Sequence, residues 1–159
     1  MHVRFGILTV SDSVAAGTAE DRGGPAVRAA LAQSGWEVAE ATVVPDDRSQ
    51  IETTLKRWAD ERRLDVIFTT GGTGLGPRDV TPEATLAVAD RIVPGIAETI
   101  RAMSFRQTQG AMLSRGTCCM RGPTLIINLP GSPKGATYGV EIVRPVLEHA
   151  VSTIHGARH

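Results

Sequence analysis

Val3–Val10 (VRFGILTV) is an almost unbroken apolar run, and Thr124–Leu129 (TLIINL) is another. A strand with one wet face alternates apolar and polar residues. A strand that is apolar throughout is buried on both faces, as in a parallel sheet covered by helices. Trp36–Val44 and Asp65–Thr70 (DVIFTT) read as two further strands. Helical patterns fill the intervals. One helix runs from Pro25 to a stop at Gly35, and a second carries Ile51, Leu55 and Trp58 on one face. Thr81-Pro82-Glu83 is a strong helix start with Thr81 as the cap, and a helix from Pro94 presents Ile96, Ile100 and Met103. Ser132-Pro133 opens a last helix with Val143, Leu147, Ala150 and Ile154 inward. Ser11–Gly24 reads as a polar loop, and residues 110–122 carry no clear period. Strands alternating with helices predict an α/β fold with a largely parallel sheet between helix layers. The length of 159 residues fits one domain spanning 1–159.

Several functional classes are excluded by composition. The 17 Lys and Arg balance 17 Asp and Glu, which argues against a general nucleic-acid or anionic-membrane binder. All bases but Lys56 and Lys134 are arginines. The histidines, His2, His149, His155 and His159, lie at the chain ends, so no Ser-His-Asp set or metal spacing is visible. Cys118 and Cys119 are adjacent, an awkward geometry for a disulfide and too few thiols for a zinc site; they read as free thiols in a reducing cytosol. No apolar run reaches membrane-spanning length, and the N-terminus reads as a strand rather than a signal peptide.

In sheets of this kind ligands bind beyond the carboxyl ends of the strands. Thr69–Asp79 (TTGGTGLGPRD) leaves such an end. Its glycines let backbone N–H groups approach an anion, the next helix adds its positive dipole end, and Arg78 adds a fork of donors. No Gly-Lys-Ser/Thr follows, so this is not a Walker loop. Asp46 and Asp79 each follow a strand, and two carboxylates near a phosphate loop suit magnesium. Asp46 is equally readable as a helix cap, with Asp47 as the rival for that cap, and Asp79 as a turn residue. Leu129–Gly135 (LPGSPKG) forms a second anion-ready helix start. Hydroxyls within Thr9–Asp21, with Ser114-Arg115, could bind a phosphate or a polar heterocycle.

TVSD, VVPDD, TTGGTGLGPRDVTPEAT, MLSRG and TLIINLPGSPKG, in this order and spacing, resemble the MogA/MoaB family of molybdenum cofactor biosynthesis along essentially the whole chain. The resemblance implies a three-layer α/β/α fold with a mixed sheet, one strand antiparallel. It implies a cytoplasmic homotrimer, or a hexamer as in some MoaB-type members. The implied activity is Mg-ATP-dependent transfer of AMP to molybdopterin, releasing pyrophosphate, with the product passed to a molybdenum-insertion protein. Carried onto this chain, Asp46 and Asp79 become the catalytic and magnesium-holding acids. Gly71, Gly72, Thr73, Gly74, Pro130, Gly131 and Ser132 would line the nucleotide pocket, and Ser11, Asp12, Ser13, Ser114 and Arg115 the molybdopterin side. Two departures stand out. Cys118-Cys119 replace usually small residues, and the sequence stops short of the C-terminal extension of longer MogA-type enzymes. The second departure points to the MoaB-sized group, in which a non-catalytic molybdopterin-binding paralogue is the alternative. A CinA-like nucleotide pyrophosphate hydrolase is a further rival, opposed by the PRDVTP block.

Overall fold

In a computed structural model, residues 1–157 are described. The strands are β1 (Phe5–Val10), β2 (Val38–Val44), β3 (Val66–Thr70), β4 (Arg91–Ile92), β5 (Cys118–Arg121) and β6 (Thr124–Leu129). They form one sheet in the order β2-β1-β3-β6-β5-β4. β2, β1, β3 and β6 are parallel, whereas β5 runs antiparallel to both β6 and β4. The sheet is therefore mixed, with a single reversed strand, as the family resemblance implies.

Side chains on β1, β3 and β6 alternate between two cores, which explains their uninterrupted apolarity. Phe5, Ile7, Val66, Phe68, Leu125 and Ile127 pack with α2 (Gly23–Ala32), α5 (Pro94–Phe105) and α6 (Pro133–Ile154). Leu8, Val10, Ile67 and Ile126 pack on the other face with α3 (Arg48–Asp60) and α4 (Thr81–Val88). This is the three-layer arrangement. Adjacent Cys118 and Cys119 enter opposite cores as free, buried thiols, and burial pushes both pKa values up. No helix among the described residues is long and apolar enough to cross a membrane.

Three local expectations need correction. The segment expected as a polar loop contains a short helix, α1 (Asp12–Ala15), capped by Ser11, whose Oγ accepts the Val14 N–H at 3.3 Å. Helix α2 starts at Gly23, two residues before Pro25, with Arg22 at the cap position and Asp21 Oδ1 accepting the Gly24 N–H at 3.0 Å. Val80, not Thr81, holds the α4 cap position; the Thr81 hydroxyl instead donates to the Gly71 carbonyl. The unperiodic 110–122 stretch begins within a 3₁₀ turn (Gln109–Leu113) and ends in β5, which pairs through a tight hairpin at Gly122-Pro123 with β6. Two-residue β4 and four-residue β5 are too short to show a period. Ser132 caps α6 as expected, accepting the Gly135 N–H at 3.2 Å.

Candidate functional site

Strand register sets the site. Val10 of β1 stands beside Val44 of β2, Thr9 beside Thr70 of β3, and Thr70 beside Leu129 of β6. The loops that follow these strands therefore leave one edge side by side. Direct bonds join them: the Ser11 N–H donates to the Val44 carbonyl, the Gly71 N–H to the Leu129 carbonyl, and the Thr70 hydroxyl to the Pro130 carbonyl.

In the glycine loop, Gly71 (φ +103°) and Gly72 (φ +70°) occupy backbone that disfavours side chains. A Cβ on Gly71 would strike the Val10 carbonyl oxygen. On Gly72 it would strike the Thr81 hydroxyl and come within 3.0 Å of Asp46 Oδ1. Thr81 clamps the loop to α4, its N–H donating to the Gly72 carbonyl at 3.1 Å and its hydroxyl to the Gly71 carbonyl at 3.0 Å. Gly131 closes on the loop as well; a Cβ there would lie 3.3 Å from the Gly71 Cα. Because the Gly71 N–H already serves Leu129, any anion-facing amides belong to Gly72, Thr73 and Gly74.

The two neighbouring acids after β2 separate cleanly. Asp47 caps α3, its Oδ1 accepting the N–H groups of Ser49 (2.9 Å) and Gln50 (3.4 Å). The Gln50 side chain, with those N–H groups, holds the Asp47 pKa below the ordinary range. Asp47→Ala should therefore lower stability by about 1 kcal/mol, the usual cost of a lost cap, as read by urea denaturation. Asp46 is half-buried and turned inward. Its Oδ2 accepts the Asp12 N–H at 2.9 Å, while its Oδ1 is buried with no hydrogen-bond partner. Burial raises its pKa, and the charges of Asp12 and Asp79 push the same way. A buried carboxylate oxygen without a donor is costly unless a proton or a cation completes it. Asp79 closes its own turn, with Oδ2 accepting the Gly76 N–H at 2.9 Å.

Arg78 and Arg115 are both engaged within the protein. Arg78 grips Asp12 with two bonds, Nε to Oδ2 at 3.0 Å and Nη2 to Oδ1 at 2.9 Å. Arg115 donates from Nε to the Gly74 carbonyl, from Nη1 to Glu83 and from Nη2 to the Asp79 carbonyl, and its N–H bonds the Thr73 carbonyl. Its side chain thus ties the glycine loop to α4. Arg115 is a brace, not a fork open to a ligand.

A cleft of about 440 Å³ brings Ser114 together with Gly72–Gly74, Asp79 and Pro130–Ser132. Ser11 and Ser13 line a different cleft of about 310 Å³, on the other side of Gly71 and Gly131. The expected molybdopterin set is thus divided between two neighbouring clefts, while the Asp12 carboxylate turns to Asp46 and Arg78. Lys134 lines a third groove, of about 490 Å³, which shares Ser132 and Gly135 with the first.

Two residues at or beneath the first cleft were not singled out from the sequence. Arg101 lines it and donates to the Gly116 carbonyl at 2.6 Å. Buried Asn128, beneath the Ser114–Thr117 segment, donates to the Thr69 and Thr85 hydroxyls and accepts the Thr117 N–H. A polar residue in the apolar TLIINL run was the available signal.

A mixed α/β sheet with positive-φ glycines, a helix start and acids at one edge has the chemistry to receive an anionic small molecule there. The chain belongs to the molybdenum cofactor biosynthesis family resembling MogA and MoaB: residues 6–149 match the family described as "Probable molybdopterin binding domain". It is 42% identical over 144 residues to a molybdopterin adenylyltransferase of Haemophilus influenzae, covering 89% of this chain and 73% of that protein. It is 41% identical to the molybdenum cofactor synthesis protein cinnamon of Drosophila melanogaster, covering 96% of this chain but 26% of that protein's length. The crystal structure of the molybdopterin biosynthesis enzyme MoaB from Thermus thermophilus superposes with a TM-score of 0.92 at 52% identity, covering 98% of each chain.

Proposed function

We propose that this protein adenylylates molybdopterin: a terminal phosphate oxygen of the pterin attacks the α-phosphorus of ATP, the bond to the bridging oxygen breaks, and pyrophosphate leaves with the electron pair. The observation that carries this reading is the unpartnered, buried Asp46 Oδ1 set against Gly72 of the glycine loop. Both reactants are anions, so the barrier is one of charge and orientation, and no protein nucleophile is required. The loop amides of Gly72–Gly74 would hold phosphate oxygens. Pro130, Gly131, Ser132 and Ser114 line the same cleft, and Ser114 would serve the pterin side.

Among the described residues no group of three or more His, Cys, Asp or Glu side chains is gathered as a metal site. The donors present nonetheless fit magnesium arriving with ATP, which takes one or two carboxylates plus substrate phosphates. Asp46 through Oδ1, and Asp79, would hold it, and it would neutralise charge on the polyphosphate. Arg78 is engaged by Asp12, and Arg115 supports the loop.

The test is direct. Purified protein with molybdopterin, ATP and Mg²⁺ should yield adenylyl-molybdopterin and one pyrophosphate per turnover. Pterin binding without pyrophosphate release would instead establish the MoaB-type non-catalytic reading. We further propose a closed homotrimer in the cytoplasm, or a hexamer, that hands its product to a molybdenum-insertion protein. Exposed apolar Leu86, Ile92, Phe105 and Val146 support assembly. Light scattering at micromolar concentration should give a multiple of three times 16.8 kDa, and a monomer mass would refute it.

A further inference from the structure

The Asp12 carboxylate stands where three loops meet. The Asp46 N–H donates to Asp12 Oδ1 at 2.9 Å, and the Asp12 N–H donates back to Asp46 Oδ2 at 2.9 Å. This reciprocal pair joins the end of β1 to the end of β2. Asp12 also accepts both prongs of Arg78, which immediately precedes Asp79 in the loop after β3. One carboxylate thereby connects the residue that bears the orphaned oxygen to the loop that bears the second acid. Both of its oxygens accept hydrogen bonds from within the protein.

We propose that Asp12 is a positioning residue: through Asp46 and Arg78 it fixes the separation and aim of Asp46 and Asp79. The kinetic part of this inference rests on the adenylylation reading; the structural part does not. Three observations argue for it. Asp12 Oδ1 holds the Asp46 N–H, so the carboxylate fixes the backbone from which Asp46 projects toward Gly72. Asp79 joins an anchored helix start, where Val80 packs on the core and Thr81 is clamped to the glycine loop, to the exposed segment Leu75–Arg78. On the exposed side the tethers are Arg115 and the Asp12–Arg78 pair. The pair is itself largely exposed, with the Arg78 and Asp12 side chains 66% and 45% accessible, and such pairs contribute little to stability. Its two-pronged geometry fixes orientation, and small misplacements at a reacting centre are expensive in rate.

Asp12→Ala, Asp12→Asn, Arg78→Ala and the double variant Asp12→Ala/Arg78→Ala separate the possibilities. In the substrate-free protein, hydrogen exchange followed by mass spectrometry should rise about tenfold over residues 45–47 and 72–79 in Asp12→Ala, with the β3 and β6 peptides unchanged. Asp12→Asn keeps an acceptor for the Asp46 N–H, so residues 45–47 should stay protected while 72–79 loosen. In turnover assays Asp12→Ala should lower kcat about tenfold or more with KM for molybdopterin within about twofold. The double variant should be no worse than Asp12→Ala alone, because the two side chains act as a unit. Unchanged exchange in both loops overturns the proposal. So does a raised KM for molybdopterin with intact kcat, which would make Asp12 a pterin contact. If the wild-type protein releases no pyrophosphate, the adenylylation reading falls, and the exchange result alone still decides whether Asp12 holds the loops.

Discussion

Asp46→Asn and Asp79→Asn should each reduce pyrophosphate release about 10²–10³-fold, which corresponds to a loss of roughly 3–4 kcal/mol of transition-state stabilisation. The amide keeps the shape of the carboxylate and removes the charge that would hold magnesium. At Asp46 the change is severe for a further reason: Oδ1 is buried without a partner, so an amide there brings either an unsatisfied oxygen or two unsatisfied N–H donors. Molybdopterin binding should survive both substitutions, because Ser114 and the second cleft are untouched. The pH dependence follows from the same environment. Burial raises the Asp46 pKa, so its anionic form exists above that raised value and is lost, as pH falls through it, sooner than for an ordinary aspartate. In the metal-free protein the Asp46 carboxyl should therefore titrate at higher pH than solvent-exposed aspartates, as read by carboxyl NMR, and added magnesium should oppose that shift. Asp47→Asn serves as the control, since the Asp47 side chain is spent on capping α3. Full turnover in both Asp46→Asn and Asp79→Asn would end the metal–carboxylate mechanism and favour the binding-only reading.

Gly72→Val should abolish ATP binding by calorimetry while far-ultraviolet circular dichroism still reports a folded chain. At φ +70° a β-carbon costs roughly 1–2 kcal/mol in backbone strain alone. Its first atom would also collide with the Thr81 hydroxyl that clamps the loop and approach Asp46 Oδ1 to 3.0 Å. The substitution thus removes phosphate access, the clamp and the aim of the acid together. Gly74→Ala is the instructive comparison. Gly74 does not require the left-handed region, and a Cβ there meets only the Asp79 carboxylate, with Oδ2 at 2.9 Å. Its effect on nucleotide affinity should be clearly smaller. Equal ATP affinity in Gly72→Val and the wild type would reduce the loop to a turn.

What could be read from the chain alone followed the length and regularity of each signal. β1, β3 and β6 were legible because both faces are buried, and α6 because a Ser-Pro start precedes a long periodic face. β4 and β5 were not, since a pair of residues paired to four carries no period of its own. Within the site, the glycine loop and the two acids announced themselves by residue type and spacing. Their partners did not. Whether Asp46 or Asp47 caps α3 depends on which carboxylate reaches the Ser49 N–H, a question of backbone direction that neighbouring aspartates leave open. Arg78 and Arg115 looked like phosphate ligands, yet the folded chain satisfies them with Asp12, Glu83 and loop carbonyls, because long-range pairing is decided by tertiary placement.

Cys118 and Cys119, neighbours on one short strand, place their sulfurs in separate halves of the interior. A thiol that is inaccessible in the folded chain reacts with a labelling reagent only when its surroundings open. The two sulfurs are therefore a native pair of reporters, one for the α2–α5–α6 layer and one for the α3–α4 layer. Comparing their labelling rates in increasing urea, by peptide mass spectrometry, would show whether the layer carrying the glycine-loop helix α4 loosens before its opposite or whether both give way in one cooperative step.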